Sequence, residues 1–186
     1  RERAGWLFDS YYTAKAEYVL TGKTVVEKAF LENYINGGNL KNHKGMVSMC
    51  YPSDVFSGSF VPQWSLWYIL EIYEYVTVRR GDIPKERFKE QVCGIFDYFK
   101  DYENEYGLLE RLGGWNFVEW SELNNRVFDV SWPTNMLYAA ILDKAAELFD
   151  IPEYAQKSKC LKNTICDMAY NGVIFADRAV RNKDGE

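Results

Sequence analysis

The stretch RERAGWLFD, residues 1–9, determines how the rest of the chain is interpreted. Its nine residues include two arginines, two carboxylates, a glycine and a tryptophan. No other stretch of the sequence has as many side chains suited to catalysis or ligand binding in so few residues. A natural N-terminus is usually polar and expendable. We therefore expect the chain to be a piece of a longer protein, beginning inside a turn that carries a functional site.

Glu2 and Asp9 lie seven residues apart, across a Gly-Trp turn that leads into a helix, so that both carboxylates can face one cavity. Paired carboxylates suit glycoside hydrolysis, in which one acid protonates the leaving oxygen. That role requires a raised pKa for Glu2, whereas Arg1 and Arg3 would oppose it if they pointed inward. On composition alone, a solvated run of charges explains these residues as well.

The bulk composition fits one soluble globular domain, residues 1–186, and limits the classes of partner. The net charge is −5 without a basic run, which argues against nucleic acid. No apolar run approaches the roughly 20 residues of a membrane span. The four cysteines lack metal-site spacing, so we expect them to be free and mostly buried, and we expect no metal or cofactor. The single histidine, His43, lies in a polar loop, where we expect it to be solvated.

Hydrophobic periodicity with Gly and Pro punctuation predicts an all-α fold of about three helical hairpins. The predicted helices are 9–20, 23–35, 64–79, 84–102, 134–149 and 153–170. Asp9 is expected to cap the first helix, and a short strand is expected at 46–50. Since short and long connections alternate, the long ones share one end, which concentrates function there.

Four tryptophans, Trp6, Trp64, Trp115 and Trp120, lie at or next to that long-loop end. Flat aromatic faces suit the apolar face of a pyranose, and the indole N–H adds one hydrogen bond. Any one of these rings could equally anchor a loop over the core. Four on one end favour a binding cleft, where Glu119, expected to be buried beside Trp120, would bind sugar hydroxyls.

The pattern Arg1-Glu2-Arg3-x-Gly5-Trp6-x-x-Asp9 resembles the signature of the α-L-rhamnosidase family of glycoside hydrolases. The catalytic domain of that family is an (α/α)6 toroid of six helical hairpins. The resemblance implies that Glu2 is the general acid of an inverting mechanism, that Asp9 binds substrate and that Trp6 lines the subsite of the cleaved sugar.

Two further stretches, 62–65 and 118–120, resemble parts of the same family and assign Trp64, Glu119 and Trp120 to substrate binding. Phe8 and Glu119 depart from its usual Gly and Asp, which leaves the identity of the sugar open. Three hairpins form half a toroid, and the resemblance places the general base outside this chain. We therefore expect the chain alone to be inactive.

A half toroid exposes the surface of its inner helices, around Trp67 and Tyr68, so we expect self-association or packing against the missing half. The expected substrate is a carbohydrate. Two alternatives stay open: another six-hairpin hydrolase, such as an unsaturated glucuronyl hydrolase, and a non-catalytic helical scaffold that binds carbohydrate or protein. The sequence leaves a cytoplasmic or a periplasmic location open.

Overall fold

The computed structural model describes residues 4–43, 45–53, 58–120 and 127–176, and these contain six α-helices. The helices are α1 (Leu7–Thr21), α2 (Val25–Gly37), α3 (Pro62–Thr77), α4 (Glu86–Lys100), α5 (Trp132–Phe149) and α6 (Pro152–Ala169). The predicted all-α class and its three hairpins are confirmed. Over the described ranges, the expected strand at 46–50 is reduced to isolated bridges that pair Trp6 with Cys50 and Asn39 with Val47.

Local sequence signals account for most helix boundaries. Gly22 ends α1 with a φ of +67°, a left-handed conformation that glycine adopts without strain. Proline stands in the first turn of α3, α5 and α6, where its missing N–H costs nothing. The expected cap of α1 is wrong, because the helix begins earlier and places Asp9 inside its first turn, with Trp6 as the N-cap.

The third helix is the centre of the packing, since α3 contacts α1 on one side and α5 on the other. Ten of its 16 residues are buried, as expected for a helix that is apolar nearly all round. α1, α3 and α5 form an inner row, and α2 and α6 pack behind α1 and α5. Tyr68 is completely buried and Trp67 half-buried, so the expectation that Tyr68 is exposed is wrong.

In the part of the chain that the structure describes, no disulfide joins the four cysteines, as expected, but the expectation that most of them are buried is wrong. Cys50 is buried, whereas Cys160 and Cys166 are exposed on α6. His43 is exposed in its loop, in agreement with the sequence. Among the described residues, no helix could cross a lipid bilayer. Within the same ranges, no cluster of His, Cys, Asp and Glu side chains could hold a metal ion.

Candidate functional site

The starts of α1 and α3 meet the two long connections at one end of the molecule. The Leu7 N–H donates to the Met49 carbonyl at 2.9 Å, which ties the start of α1 to the connection between α2 and α3. The Trp115 N–H donates to the Phe60 carbonyl at 3.0 Å, which ties the connection between α4 and α5 to the residues before α3. The long connections therefore share an end, as predicted.

A series of aromatic contacts, which we name the aromatic series, joins Trp6, Trp64, Phe117 and Trp120 at this end. The ring centroids are 5.6 Å apart for Trp6 and Trp64, 6.3 Å for Trp64 and Phe117, and 4.9 Å for Phe117 and Trp120. All three contacts are edge-to-face, which is a favourable arrangement of aromatic rings. The structure thus brings three predicted sugar-binding tryptophans together through Phe117, which the sequence analysis did not select.

Solvent reaches the two ends of the aromatic series and little of its middle. Trp64 is 8% exposed and Phe117 6%, so that neither ring has much free surface for a ligand. Trp120 is 75% exposed and Trp6 is half-buried. Trp115 is also half-buried and contacts Trp120 with the centroids 5.8 Å apart. The middle rings therefore hold the outer ones in place.

The predicted carboxylates occupy different surroundings. Asp9 is exposed in the first turn of α1, where the helix N-terminus favours a negative charge, and it lines a cavity of about 200 Å³ together with Trp6. Glu119 is exposed, so the expected burial beside Trp120 is wrong, because both residues lie at the surface of their loop. Glu2, the predicted general acid, lies outside the described residues.

Phe8 fills the space between α1 and α3. Its ring stacks on Trp64 with the centroids 6.1 Å apart and contacts Trp67 at 5.0 Å. The cavity that remains between these rings and Phe117 has a volume of about 40 Å³, room for about one water molecule. The side chains that surround it thus form a packed support beneath the site, and a sugar ring would have to lie on the outer surface.

Glu71, which the sequence analysis did not select, is completely buried on α3. The Ser10 hydroxyl lies 2.7 Å from the Leu7 carbonyl oxygen and 2.6 Å from Glu71 Oε2. The Ser10 hydroxyl has only one proton to donate, and it can donate this proton to the Leu7 carbonyl oxygen. The contact with Glu71 is then a hydrogen bond only if Glu71 is protonated and donates to the Ser10 oxygen. Burial raises the pKa of Glu71 to about 8, which makes the neutral acid its main form at pH 7.

Arg79 pairs with two further carboxylates beside Glu71, the buried Glu27 and the half-buried Glu74. Its guanidinium donates to Glu27 on α2 at 2.6 and 2.8 Å and to Glu74 on α3 at 2.9 Å. The Tyr11 hydroxyl of α1 donates to Glu74 at 2.8 Å, so that the cluster joins three helices. The sequence contained a signal for this cluster: Glu71 and Glu74 lie about one turn apart in the largely apolar helix α3. Charged side chains in such a helix need partners of opposite charge.

No protein-family model matches the chain, and no curated protein matches it in sequence. Solved structures do match in fold. A rhamnosidase of glycoside hydrolase family 78 from Bacillus sp. GL1 aligns with a TM-score of 0.77 and 19% identity, over 98% of this chain and 19% of that one. A rhamnosidase from Klebsiella oxytoca, with rhamnose bound, aligns with a TM-score of 0.71 and 19% identity, over 92% of this chain and 34% of that one.

A family 105 glycoside hydrolase from C. acetobutylicum ATCC 824 aligns with a TM-score of 0.60 and 16% identity, over 98% of this chain and 51% of that one. The chain thus spans between about a fifth and about half of the length of these three proteins. Identities this low establish a common fold. The resemblance to α-L-rhamnosidases is confirmed at that level, and the chain has the fold of part of an (α/α)6 toroid, matching these three glycoside hydrolases.

Proposed function

We propose that the chain is part of an inverting glycoside hydrolase similar to α-L-rhamnosidases, which releases a terminal sugar from a glycoside. The aromatic series carries this proposal, because it connects Trp6 of the N-terminal motif to Trp120 of a separate loop. Aromatic faces and nearby carboxylates are the side chains that bind sugars. The fold likeness to two rhamnosidases supports the same class of reaction.

In the proposed mechanism, Glu2 protonates the glycosidic oxygen as the bond to the sugar breaks. A second carboxylate, which the proposal places outside this chain, activates water on the opposite face, about 6.5–9.5 Å from the acid. Asp9 and Glu119 accept hydrogen bonds from sugar hydroxyls, while Trp6 and Trp120 contact the ring. The 186-residue chain alone is then inactive, although it contains the proton donor.

The test uses the full-length enzyme that contains this chain, with a chromogenic α-L-rhamnoside as substrate. Glu2→Gln is expected to abolish hydrolysis and to preserve sugar binding, because the amide cannot donate the catalytic proton. Glu153→Gln, on the exposed first turn of α6, is the matched control and should retain full activity. If the Glu2→Gln variant hydrolysed the substrate at the wild-type rate, the role of Glu2 would be contradicted. If the wild-type full-length enzyme had no glycosidase activity, the proposal would be refuted.

The same experiment separates two alternatives. Another six-hairpin hydrolase, such as an unsaturated glucuronyl hydrolase, is favoured by the fold likeness to the family 105 enzyme. It would require Glu2 or another carboxylate for turnover of an unsaturated uronide and would leave the rhamnoside intact. A non-catalytic scaffold would bind carbohydrate or protein and would turn over neither substrate.

We also propose that exposed apolar residues of the chain pack against further helical hairpins of the same toroid. Val19, Leu20 and Val25 are 66–82% exposed around the turn between α1 and α2, and Val173 and Ile174 are 60–81% exposed after α6. The three matched structures are all longer than this chain, which supports further hairpins as the occupant. The isolated chain should therefore self-associate in gel filtration and bind an apolar dye. A monomer that binds no dye would refute this.

A further inference from the structure

The side-chain amide of Gln63, in the first turn of α3, connects three parts of the molecule while being only 3% exposed. Its Nε2 donates to Asn116 Oδ1 and, at 3.1 Å, to Thr134 Oγ1. Its Oε1 accepts a hydrogen bond from the Phe117 N–H at 3.2 Å. Both N–H groups and the carbonyl oxygen of one amide are therefore used, as the burial of a polar group requires.

The network continues from Gln63 in two directions. Asn116 Nδ2 donates to the Val127 carbonyl, which joins the two sides of the loop that carries Trp120. The Thr134 hydroxyl donates to Ser131 Oγ at 3.0 Å, at the start of α5. These partners are all buried, so the network forms a polar layer between the inner helices and the loop.

A second attachment fixes the loop where it begins. Gly114 has a φ of +72°, and a Cβ there would lie 2.7 Å from the Phe60 carbonyl oxygen, which only glycine avoids. The Phe60 carbonyl also accepts the Trp115 N–H. Residues 113–120 are thus held at two points, Phe60 and Gln63, and the attachment to Gln63, at Phe117, lies within three residues of Trp120.

We propose that Gln63 is a positioning residue of the sugar site: by holding residues 115–120 on α3, it sets where Trp120 stands relative to Trp6. Its neighbour Trp64 contacts Trp6 and Phe117 at once, so the first turn of α3 determines the spacing of both outer rings. Without the amide, Asn116 and the Phe117 N–H lose buried partners, and the loop has to move to satisfy them. The sugar part of this inference rests on the proposed function.

The position of the loop is tested first, without any ligand. The 186-residue chain is labelled with 5-fluorotryptophan, which gives one ¹⁹F signal for each of its six tryptophans, and Trp115→Phe and Trp120→Phe identify the two loop signals. Gln63→Met is expected to move both signals. Gln91→Met is the matched control, because Gln91 also makes three hydrogen bonds, on α4, and it should move neither signal.

Sugar affinity is then measured by titrating the full-length enzyme that contains this chain with methyl α-L-rhamnopyranoside, because the proposed function places part of the site outside the chain. Gln63→Met should weaken binding about tenfold, the equivalent of about one net hydrogen bond, whereas Gln91→Met should leave it unchanged. If Gln63→Met does not fold, Thr134→Val removes one of its partners and should move the loop signals in the same direction.

Unmoved loop signals in a folded Gln63→Met chain would overturn the inference. So would equal shifts in Gln91→Met, because the effect would then be a general consequence of losing a hydrogen-bonded amide. Full-length wild-type enzyme that does not bind the sugar contradicts the proposed function and the affinity part of the inference. The ¹⁹F signals still decide whether Gln63 holds the loop, so the two failures are distinguishable.

Discussion

Replacement of Glu71 by glutamine is expected to remove most of the pH dependence of stability between pH 5 and pH 8. The carboxyl group of Glu71 is completely buried and donates to Ser10 in its neutral form. The charged groups that face it are Glu27 from α2, Glu74 from α3 and Arg79 after α3. An amide reproduces the neutral acid and has no proton to release.

The magnitude follows from the pKa of Glu71, which burial raises from its ordinary value of 4.5 to about 8. Between these values the unfolded chain has released the proton, whereas the folded chain keeps it. The free energy of unfolding therefore falls as the pH rises, by at most about 1.4 kcal/mol per pH unit and by about 5 kcal/mol in total. The contribution is complete below pH 4.5 and is lost as the pH passes 8.

The assay is urea unfolding of the chain, followed by circular dichroism at pH 5, 6, 7 and 8. Wild type should lose stability across the series, while Glu71→Gln should lose much less and become the more stable chain at pH 8. Glu153→Gln, at an exposed carboxylate, should keep the wild-type slope. Burial also raises the pKa of Glu27, so this carboxyl contributes to the slope of both chains, and the difference between wild type and Glu71→Gln reports on Glu71. A wild-type slope that is flat or rising, or a slope unchanged by Glu71→Gln, would refute the reasoning.

Three further substitutions test other parts of the structure by urea unfolding. Arg79→Met leaves the Glu27 carboxylate buried without its cation and should cost about 3–5 kcal/mol. Gly114→Ala forces a Cβ against the Phe60 carbonyl oxygen at a positive φ and should cost about 1–3 kcal/mol. Trp120→Ala removes an exposed ring, so it should change stability by no more than about 0.5 kcal/mol while weakening sugar binding.

Each of these substitutions has a matched control or a contradicting result. Arg87→Met, at an exposed position of α4, should have almost no effect, and a loss equal to that of Arg79→Met would contradict the ion pair. Gly172→Ala has a positive φ but an open Cβ position, so it should cost less than Gly114→Ala. If Trp120→Ala unfolded the chain, the Trp120 ring would be required for the stability of the core, and the prediction that it only binds sugar would be contradicted.

The sequence was sufficient to predict the hairpins because their limits depend on local chemistry. Gly22 ends α1, and prolines open α3, α5 and α6, whatever the rest of the fold does. The exposure of Cys160 and Cys166 could also have been predicted. The buried residues Ser158, Leu161 and Ile165 mark one face of α6, and neither cysteine lies on it.

The candidate site was only partly predictable, because side chains from distant segments decide its geometry. The sequence placed Trp64 and Trp120 at the same end, but it could not show that one ring is buried and the other exposed. Glu119 was expected to be buried because its neighbours in sequence, Val118 and Trp120, are apolar. In a loop, however, apolar neighbours in sequence do not determine whether a side chain is exposed. The sequence offered no indication of the role of Gln63, because the hydrogen-bond partners of its side chain lie more than 50 positions further along the chain.

Two of the polar contacts that connect α3 to the rest of the molecule lie far apart on the helix. Gln63 in the first turn reaches the loop that carries Trp120, and Glu71, about 12 Å further along the helix, reaches α1 through Ser10. Because the two contacts share no side chain, their effects should be independent. Glu71→Gln should leave the ¹⁹F signal of Trp120 in place, and Gln63→Met should keep the wild-type pH slope. If each variant changed both properties, the two contacts would belong to one cooperative unit, and the sugar site would respond to the protonation of the core.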